Sequence, residues 1–575
     1  MSITRETHPA STLQRADPGR WLALAVVLVA GFMDLLDAGI VFLALPRIQQ
    51  DLHAGYAALQ WVAAGYTLAF ALVLITAGRL GDILGRKRLF LVGVAGFTAA
   101  SALCAAAQSP AMLVASRALQ GAMAAVMIPQ VLSIIQASFA PGERAAAFGA
   151  YGAAAGLANV SGPVIAGLLI QADPLGLGWR SIFLINLPVG IATLVAAWLL
   201  VGESKAPQAL RLDPAGVAII TVALLALLYP LVQGRELGWP AWSFAAMAAA
   251  VPLLALFTLW ERHKTRRDGS PLVPLGLFGR RAFVAGLAVT LLVVAGITGF
   301  FLVFVLYVQT GLGFSTLKAA LVALPWPLGI ALAGGISARL ATTVGRRLLT
   351  LGSLLVAAAM AGLVWTIHPY GPGIAGWQLM PDLAVGGLGM GLVFPPLGNI
   401  VLAGVPLRDA GSASGLLSTA QQLGGAIGVA VIGVVFFGLL ASQAPASADA
   451  VAPRIRSGLT AAGVPAPVQQ QVVARVRSCF IQRAKAKDPT VVPPSCQQLG
   501  RPGSGSLPAA AGRRINQVIT PAAAQAVQLT FSRAAEHAMR WEAGAFLLAF
   551  LLSCLLPAKA RGDQPATEQP SPTVT

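Results

Sequence analysis

Long apolar runs separated by short polar turns fill the chain from residue 21 to residue 557. An α-helix of about 20 apolar residues crosses the roughly 30 Å hydrocarbon core of a bilayer. Fourteen runs approach or exceed that length, so we predict an all-α membrane protein with fourteen spans. The predicted spans are 21–45, 57–77, 89–107, 111–136, 146–171, 181–201, 214–233, 242–260, 283–309, 316–337, 348–367, 379–403, 412–441 and 537–557.

The positive charges follow the same pattern. Of the 39 Lys and Arg residues, 22 lie in the two tails and around alternate connections, whereas four lie in the other short connections. Cytoplasmic loops of membrane proteins carry such an excess. We therefore predict a multi-pass protein of the cell membrane with both termini in the cytoplasm. On this interpretation the net charge of +18 reflects orientation in the membrane and not nucleic-acid binding.

A ten-residue pattern occurs twice, at an offset of 260 residues. Residues 78–87 read GRLGDILGRK, and residues 338–347 read ARLATTVGRR. The first copy follows predicted span 2 and the second follows span 10. A six-helix unit repeated around an inserted helix pair explains this placement, and transporters are commonly built from such repeats.

Two carboxylates, Asp34 and Asp37, lie inside the first apolar run. Residues three apart share neighbouring parts of one helix face. At about 1.5 Å per residue they lie roughly 20 and 24 Å from Trp21, well within the membrane. A charged Asp at that depth costs about 2.5 to 3.5 kcal/mol, so it normally faces a polar cavity, pairs with a cation or is protonated. Carboxyl groups that take up and release protons in such a setting are what a proton-driven carrier needs.

Residues 442–536 are rich in Ala, Pro, Gln and Arg and contain no spanning run. The number of spans before this segment predicts that it lies outside the cell, with a surface helix at 466–486. An outer compartment permits disulfides, so we predict a bridge between Cys479 and Cys496, with two free thiols as the alternative.

The predicted organisation is a cytoplasmic tail at 1–20, an N-terminal six-helix bundle at 21–201, an inserted helix pair at 202–265, helices 9–13 of a C-terminal bundle at 266–441, an extracytoplasmic loop at 442–536, the last transmembrane helix at 537–557 and a second cytoplasmic tail at 558–575.

Four motifs resemble the major facilitator superfamily, and most closely its group of fourteen-helix drug:proton antiporters. The first, DAGIVFLALP at 37–46, resembles the first-helix signature of the family. Asp37 and Pro46 match this signature, whereas Gly39 and Phe42 stand where the family usually has Thr and Asn. The resemblance implies that Asp37, with Asp34 as its partner or as a second site, carries the proton.

The second motif, GRLGDILGRKR at 78–88, resembles the cytoplasmic turn after the second helix of the family. Ile83 stands where a basic residue is common. The resemblance implies a latch that stabilises one conformation of the alternating-access cycle, whereas a loop that only sets orientation is the alternative. The predicted latch residues are Gly78, Asp82, Gly85, Arg86 and Lys87.

The third motif is RALQG at 117–121, and its Arg117 is the only basic residue that we place inside a span and away from the span ends. A buried guanidinium needs acceptors. The resemblance implies that Arg117 couples proton movement through Asp37 or Asp34. The alternative is a side chain that extends to the outer interface.

The fourth motif, in span 5, resembles the antiporter signature of the family and implies an exchange mechanism. Its candidate residues are Gly156, Gly162, Pro163 and Gly167. Close helix packing through small residues is the alternative. The candidate cavity residues are Gln120, Asn159 and Asp382, although Asp382 also lies near enough to the outer end of span 12 to reach headgroup water.

These observations favour a secondary active exporter that exchanges protons for lipophilic, often cationic, drugs or antibiotics. The alternative is a dedicated exporter of a single endogenous metabolite, lipid or antibiotic. The expected partners are the small-molecule substrate, protons and membrane lipid, and the expected form is a monomer that binds no nucleic acid. The sequence has no G-x-x-x-x-G-K-[ST] nucleotide loop, and its five His residues lack metal-ligand spacing. We therefore expect no enzyme activity, no cofactor and no metal.

Overall fold

The computed structural model describes residues 19–139, 141–173, 176–205, 212–269, 271–402, 405, 410–485, 493–497 and 509–556. The statements below concern these residues. The predicted tails at 1–20 and 558–575 lie outside them, apart from residues 19 and 20.

The described chain is helical, and the apolar runs of the sequence form its long helices. The α-helices are α1 (Arg20–Leu52), α2 (Tyr56–Leu84), α3 (Arg86–Ala105), α4 (Pro110–Ser138), α5 (Pro141–Ala172), α6 (Ser181–Leu184), α7 (Asn186–Leu200), α8 (Pro214–Leu237), α9 (Ala241–Asp268), α10 (Arg281–Leu306), α11 (Thr316–Ala323), α12 (Pro325–Val344), α13 (Arg346–Tyr370), α14 (Gly376–Leu402), α15 (Ala410–Ala461), α16 (Ala466–Lys485), α17 (Pro494–Gln497) and α18 (Ala509–Cys554). Shorter turns are 3₁₀ helices at Gly178–Arg180, Leu275–Gly279 and Gly371–Gly373 and a π-helical turn at Tyr307–Gly311.

Local sequence signals mark several helix ends. Ser109 precedes α4, and its side chain accepts a hydrogen bond from the backbone N–H of Met112 at 3.3 Å. Ser315 does the same for α11 through the N–H of Lys318 at 3.2 Å. Such serines satisfy one of the donors that the first turn of a helix leaves unpaired. These caps explain why polar residues interrupt the apolar pattern at those points.

Thirteen segments of the described chain are long and apolar enough to cross a membrane, and they correspond to the first thirteen predicted spans. The fourteenth predicted span, 537–557, falls on the C-terminal part of α18. This helix packs against α10, α13 and α15. The predicted all-α fold with fourteen membrane helices is confirmed.

The helices form two halves. In the first half, α4 packs against α2 and α3, while α1 packs against α5 and α7. In the second half, α14 packs against α12 and α13, and α10 packs against α15 and α18. The helices α8 and α9 pack against each other, and α8 also contacts α2 and α15.

The backbone repeats where the sequence repeats. Gly85 lies between α2 and α3 with a φ of 117°, and Gly345 lies between α12 and α13 with a φ of 57°. Glycine adopts such positive φ values without the steric penalty of a side chain. The two glycines are 260 residues apart in the chain, which is the offset of the sequence repeat.

A basic side chain after each of these glycines binds the end of the final helix of its own half. Lys87 Nζ donates to the carbonyl oxygen of Trp198, in α7, at 2.7 Å. Arg346 donates to the carbonyl oxygen of Cys554, at the end of α18, at 2.9 Å. Cations near a helix C-terminus interact favourably with its unpaired carbonyl groups. These matching contacts give α18 the place in the second half that α7 has in the first.

We define the distal face as the end of the molecule where α1 ends and α2 begins, and the terminal face as the opposite end. The two halves touch near the distal face. Gln309 Nε2 donates to the carbonyl oxygen of Leu43 at 2.9 Å. The rings of Tyr56 and Phe437 stack with their centroids 4.1 Å apart. These contacts join the first half to the second at the distal end.

Much of the expected loop at 442–536 is helical. The helix α15 continues past the predicted span end to Ala461, and α18 begins at Ala509, well before the predicted span start. The predicted helix at 466–486 is confirmed as α16. These extensions are rich in Ala and Gln. Such residues favour helix formation but do not make a segment apolar enough to be predicted as a membrane span.

We call the described residues 442–485, 493–497 and 509–536 the cap. The cap has its own small apolar core, which holds its helices together. The buried members of this core are Val451, Ile455, Leu459, Val464, Val473, Val476, Ala522 and Ala526. An ion pair between Arg477 and Asp449, with an Nε–Oδ1 distance of 2.6 Å, also joins α16 to α15.

Candidate functional site

A buried ion pair lies at the centre of the first half. Arg117, on α4, donates from Nη1 to Asp37 Oδ2, on α1, at 2.5 Å. The two side chains are 1% and 0% exposed. Arg117 therefore does not extend to an interface. The structure brings it together with one of the two carboxylates that the sequence singled out.

Two neutral side chains hydrogen-bond this pair directly, and a third, Ser101, accepts hydrogen bonds from both of them. Gln120 Nε2 donates to Asp37 Oδ1 at 3.0 Å, and Asn186 Nδ2 donates to the same oxygen at 2.8 Å. Gln120 Oε1 accepts from Arg117 at 2.6 Å, and Gln120 Nε2 also donates to Ser101 Oγ at 2.7 Å. Gln120 is thus a buried member of the ion-pair network, not a side chain on an open cavity wall.

The second carboxylate, Asp34, has a different partner. It accepts a short hydrogen bond from the hydroxyl group of Tyr66, on α2. The guanidinium carbon of Arg117 lies 4.3 Å from the centroid of the Tyr66 ring. Tyr66 therefore contacts both the cation and the carboxylate that the cation does not bind.

This arrangement satisfies two charges where water is excluded. Breaking a buried ion pair by removing one partner typically costs about 3–5 kcal/mol, because the other charge is left uncompensated. A proton that arrives on Asp37 would likewise release Arg117. The site can therefore convert a change of protonation into a change of side-chain partners.

The predicted latch residues meet within the first half. Asp82 accepts hydrogen bonds from Arg86 Nε at 3.3 Å and Nη2 at 3.0 Å. Glu203, after α7, accepts from the backbone N–H groups of Lys87 and Arg88 at 3.1 and 3.3 Å. A carboxylate at a helix N-terminus is favourable, so Glu203 stabilises the start of α3. Of the other predicted latch residues, Gly78 lies within α2.

The predicted antiporter residues differ in their surroundings along α5. A methyl group on Gly167 would lie 2.9 Å from Leu317 Cα, which is too close for an undistorted contact. A methyl group on Gly162 would have an ordinary contact, 3.7 Å from Ile40 Cγ2, and one on Gly156 would meet no described atom within 4 Å. Close packing therefore explains Gly167 but not Gly156. Pro163 lies inside α5.

Two candidate cavity residues are not part of the network. Asp382 lies on α14 in the second half, where it accepts from Thr366 Oγ1 at 2.9 Å. It is half-buried between α13 and α14, beside Gly362. The side chain of Asn159 lies outside the described part of the structure.

Sequence reasoning did not assign site roles to Ser101, Asn186, Tyr66 and Glu203. The first three are polar side chains inside apolar runs, and that is the signal that could have found them. Their partners lie 19 to 149 residues away in the chain, so the sequence did not indicate what they bind. The structure also joins Cys479 and Cys496, 17 residues apart, in a disulfide within the cap.

Comparison with known proteins agrees with this architecture. The probable actinorhodin transporter of Streptomyces coelicolor is 46% identical over 86% of this chain and 86% of its own length. The tetracenomycin C resistance and export protein of Streptomyces glaucescens is 35% identical over 79% of this chain and 84% of its own length.

A solved structure of a bacterial homologue of the human lysosomal transporter Spinster, described as inward-facing and unoccupied, aligns over 94% of this chain and 98% of its own. The TM-score is 0.57 at 16% identity, so this likeness concerns the fold. The family model of the Major Facilitator Superfamily matches residues 27–429. The resemblance that the motifs carry is confirmed, and the chain belongs to the major facilitator superfamily.

Proposed function

We propose that the protein is a proton-coupled secondary active exporter that exchanges protons for lipophilic small molecules across the cell membrane. The observation that carries this proposal is the buried pair of Asp37 and Arg117, with Asp34 one helical turn away. A buried carboxylate whose ionisation decides whether it pairs with a cation is suited to exchange protons. The names of the relatives, which refer to transport and export of antibiotics, support export as the direction of transport.

The exchange follows from the contacts of Arg117. When Asp37 is ionised, Arg117 binds it and the first half keeps the described arrangement. When Asp37 takes up a proton, Arg117 loses its counter-charge, and Asp34, beyond Tyr66, is the nearest other carboxylate of α1. This proton comes from outside through an open distal face, where the rearrangement of α1 against α4 and α2 releases the cargo. The protonated protein then returns to the arrangement that is open to the cytoplasm. Loss of the proton to the cytoplasm restores the pair.

The proposed orientation puts the distal face and the cap outside the cell, as the distribution of positive charges predicts. The contacts of Gln309 with Leu43 and of Tyr56 with Phe437 then close the external side. In this conformation the cargo enters from the cytoplasm.

The cargo need not be cationic. The expectation of often cationic cargo is not required by α1, because Arg117 balances the charge of Asp37. A single carboxylate, Asp34, remains to attract a cation, and it is bonded to Tyr66. We therefore propose that lipophilicity, rather than positive charge, is what the cargo molecules share.

Substitution of Asp37 by Asn tests the coupling. In proteoliposomes with an imposed pH gradient, we expect Asp37→Asn to abolish cargo-dependent proton movement. The matched control is Asp51→Asn, the same change on the same helix at a residue that pairs with Arg180 near the distal end. We expect the control to retain antiport.

Loss of one partner of a buried pair also threatens folding. The double variant Asp37→Asn with Arg117→Gln removes both charges and separates the two effects. Unchanged antiport in a folded Asp37→Asn protein would contradict the proposal. So would transport that stops on ATP depletion while the proton gradient is held constant.

A dedicated exporter of a single endogenous metabolite, lipid or antibiotic is the second candidate. The names of the two relatives described above fit it, because each refers to one compound. A panel of dyes and antibiotics, tested in a host that lacks its own efflux pumps, distinguishes the two. Resistance to one chemical class indicates a dedicated exporter, and resistance to several unrelated classes indicates a multidrug exporter.

A further inference from the structure

A cavity of about 620 Å³ lies at the distal face, under the cap. Its walls come from α15, α16 and α18 of the cap and from the adjoining ends of α1 and α2. Sites for drug-sized molecules typically have volumes of about 300–1,000 Å³. The cavity is therefore large enough for one such molecule and is separate from the buried pair in the first half.

The lining of this cavity is mostly apolar. Val451 and Ile455 contribute from α15, Phe480 from α16, and Ile519 and Val527 from α18. Apolar walls with a few charged groups at defined points are typical of sites for lipophilic ligands. The walls thus favour a hydrophobic scaffold.

The lining side chains that can carry a charge near neutral pH are all basic types. They are His53, Arg477 and Arg483, and no Asp or Glu lines the cavity among the described residues. Arg477 already has a carboxylate partner, because its Nε donates to Asp449 at 2.6 Å. No described acidic side chain forms an ion pair with Arg483. Arg483 is therefore the cation that is best placed to meet an acid group of a ligand.

The charge of the surrounding segment also favours an anionic ligand. Residues 442–536 contain eleven Lys and Arg residues but three Asp and Glu residues. A cleft surrounded by charge of one sign raises the local concentration of ligands of the opposite sign. This excess of positive charge would attract anions and repel cations.

The position of the cavity links it to transport. Gln50 and Tyr56 line it from the first half, whereas Thr310 and Phe531 line it from the second. The cavity therefore lies where the two halves meet at the distal face. It therefore adjoins the route of a compound that leaves between the halves on this side.

We propose that the cap cavity binds a lipophilic small molecule that carries an acid group, and that this molecule is the exported compound on its way out. The apolar walls hold the scaffold, and the guanidinium of Arg483 binds the acid group. The identification of the ligand as cargo rests on the proposed export function. The existence of an anion-selective site does not.

Binding to the purified full chain in nanodiscs of zwitterionic lipid tests the site without transport. The probes are 8-anilinonaphthalene-1-sulfonate and N-phenyl-1-naphthylamine, a neutral compound with the same ring system. Empty nanodiscs give the background of each probe. We expect saturable binding of the sulfonate and at least tenfold weaker binding of the neutral probe, since hydrogen bonds to charged groups contribute about 1.5–3 kcal/mol.

Two cap variants and two matched controls locate the site. Arg483→Gln removes the cation, and Ala523→Trp fills the cavity. Arg475→Gln and Ala474→Trp make the same changes at exposed positions of α16 that do not line the cavity. We expect the Kd for the sulfonate to rise about tenfold in each cap variant and to stay within twofold in each control.

Equal affinity in all four variants would overturn the proposal, as would equal binding of the two probes. Nanodiscs that contain anionic phospholipid distinguish a lipid occupant from a small molecule. Saturating competition by that lipid in the native protein, absent in Arg483→Gln, would assign the site to lipid and overturn its assignment to cargo. If the earlier test disproves proton antiport but anion binding still depends on Arg483, the site remains and only its place in export is lost.

Discussion

At the scale of single residues, the two halves treat their buried carboxylates differently. Asp37 has three described side-chain donors, of which Arg117 is charged. Glu542, on α18, is 1% exposed, and neither of its carboxyl oxygens has a partner among the described residues. It lies against Gly296 and Gly299 of α10. A satisfied charge can be kept in the membrane interior, whereas an unsatisfied one is a liability for stability.

We predict that Glu542→Met stabilises the protein. Replacing buried ionic groups by apolar residues of similar volume is often neutral or stabilising by about 1–4 kcal/mol. The expected result is a higher melting temperature in detergent with proton-driven transport retained. Glu542→Ala is the control, because it removes the same charge but leaves a cavity, which costs stability. Loss of transport at an unchanged melting temperature would show instead that Glu542 takes part in the cycle.

The sequence predicted Asp34, Asp37 and Arg117 because charges within apolar runs are rare and costly. It did not predict the roles of Ser101 and Asn186, because a neutral polar residue within a span can be accommodated in several ways at little cost in free energy. Only the packing of α3 and α7 around α1 brings Asn186 to Asp37 and Ser101 to Gln120 and Asn186. The sequence thus identified the charged residues of the site but not their neutral hydrogen-bonding partners.

At the scale of helices, the contact between α5 and α11 joins the two halves. A methyl group on Gly167 would lie 2.9 Å from Leu317 Cα and 3.2 Å from Ala320 Cβ. These distances leave no room for a larger side chain while the distal face is closed. Glycine at this position therefore allows the two helix backbones to approach closely.

We predict that Gly167→Leu opens the distal face. The measurement is the rate at which a membrane-impermeant maleimide labels a cysteine introduced by Ala320→Cys, at a position that is 0% exposed in the closed arrangement. The background carries Cys554→Ser, because Cys554 is an exposed free thiol. We expect labelling to accelerate at least tenfold and transport to fall.

Gly152→Leu is the matched control for this prediction. It makes the same change on the same helix, but a methyl group there would meet no described atom within 4 Å. We expect labelling of the introduced cysteine to stay at the rate measured without this change. Equal labelling rates with and without Gly167→Leu would contradict a role for this contact in closure.

Helix positions were largely predictable, because the length and apolar content of each run decide whether it spans the membrane. The extensions of α15 and α18 into the cap were not, because their Ala-rich and Gln-rich sequences are helical without being apolar enough to span. The repeat at 78–87 and 338–347 was informative for a different reason. It predicted a repeated helical unit, and the structure places Gly85 and Gly345, both with a positive φ, at matching turns of that repeat.

At the scale of the whole molecule, the cap distinguishes this chain from a bare helical bundle. The disulfide between Cys479 and Cys496 closes a loop within the cap, between α16 and α17. In a chain-entropy model a loop of about 15 residues contributes roughly 3 kcal/mol to stability. The bridge therefore contributes to the order of the wall that carries Arg483.

We predict that the bridge forms in the native protein and supports the cap cavity. Alkylation of the denatured protein followed by mass spectrometry should show two more modified cysteines after reduction than before it. Cys496→Ser should lower the melting temperature and weaken binding of the anionic probe. Equal alkylation with and without reductant would contradict the bridge.

The helices α15 and α18 run without a break from the membrane into the cap, whereas Gln50 and Tyr56 belong to the opposite half. In the proposed transport cycle the two halves move against each other, so the two sides of the cap cavity separate or approach each other and its volume changes. A molecule bound there would be held while the cavity is small and released when it widens, and the small cavity would oppose the return of exported molecules.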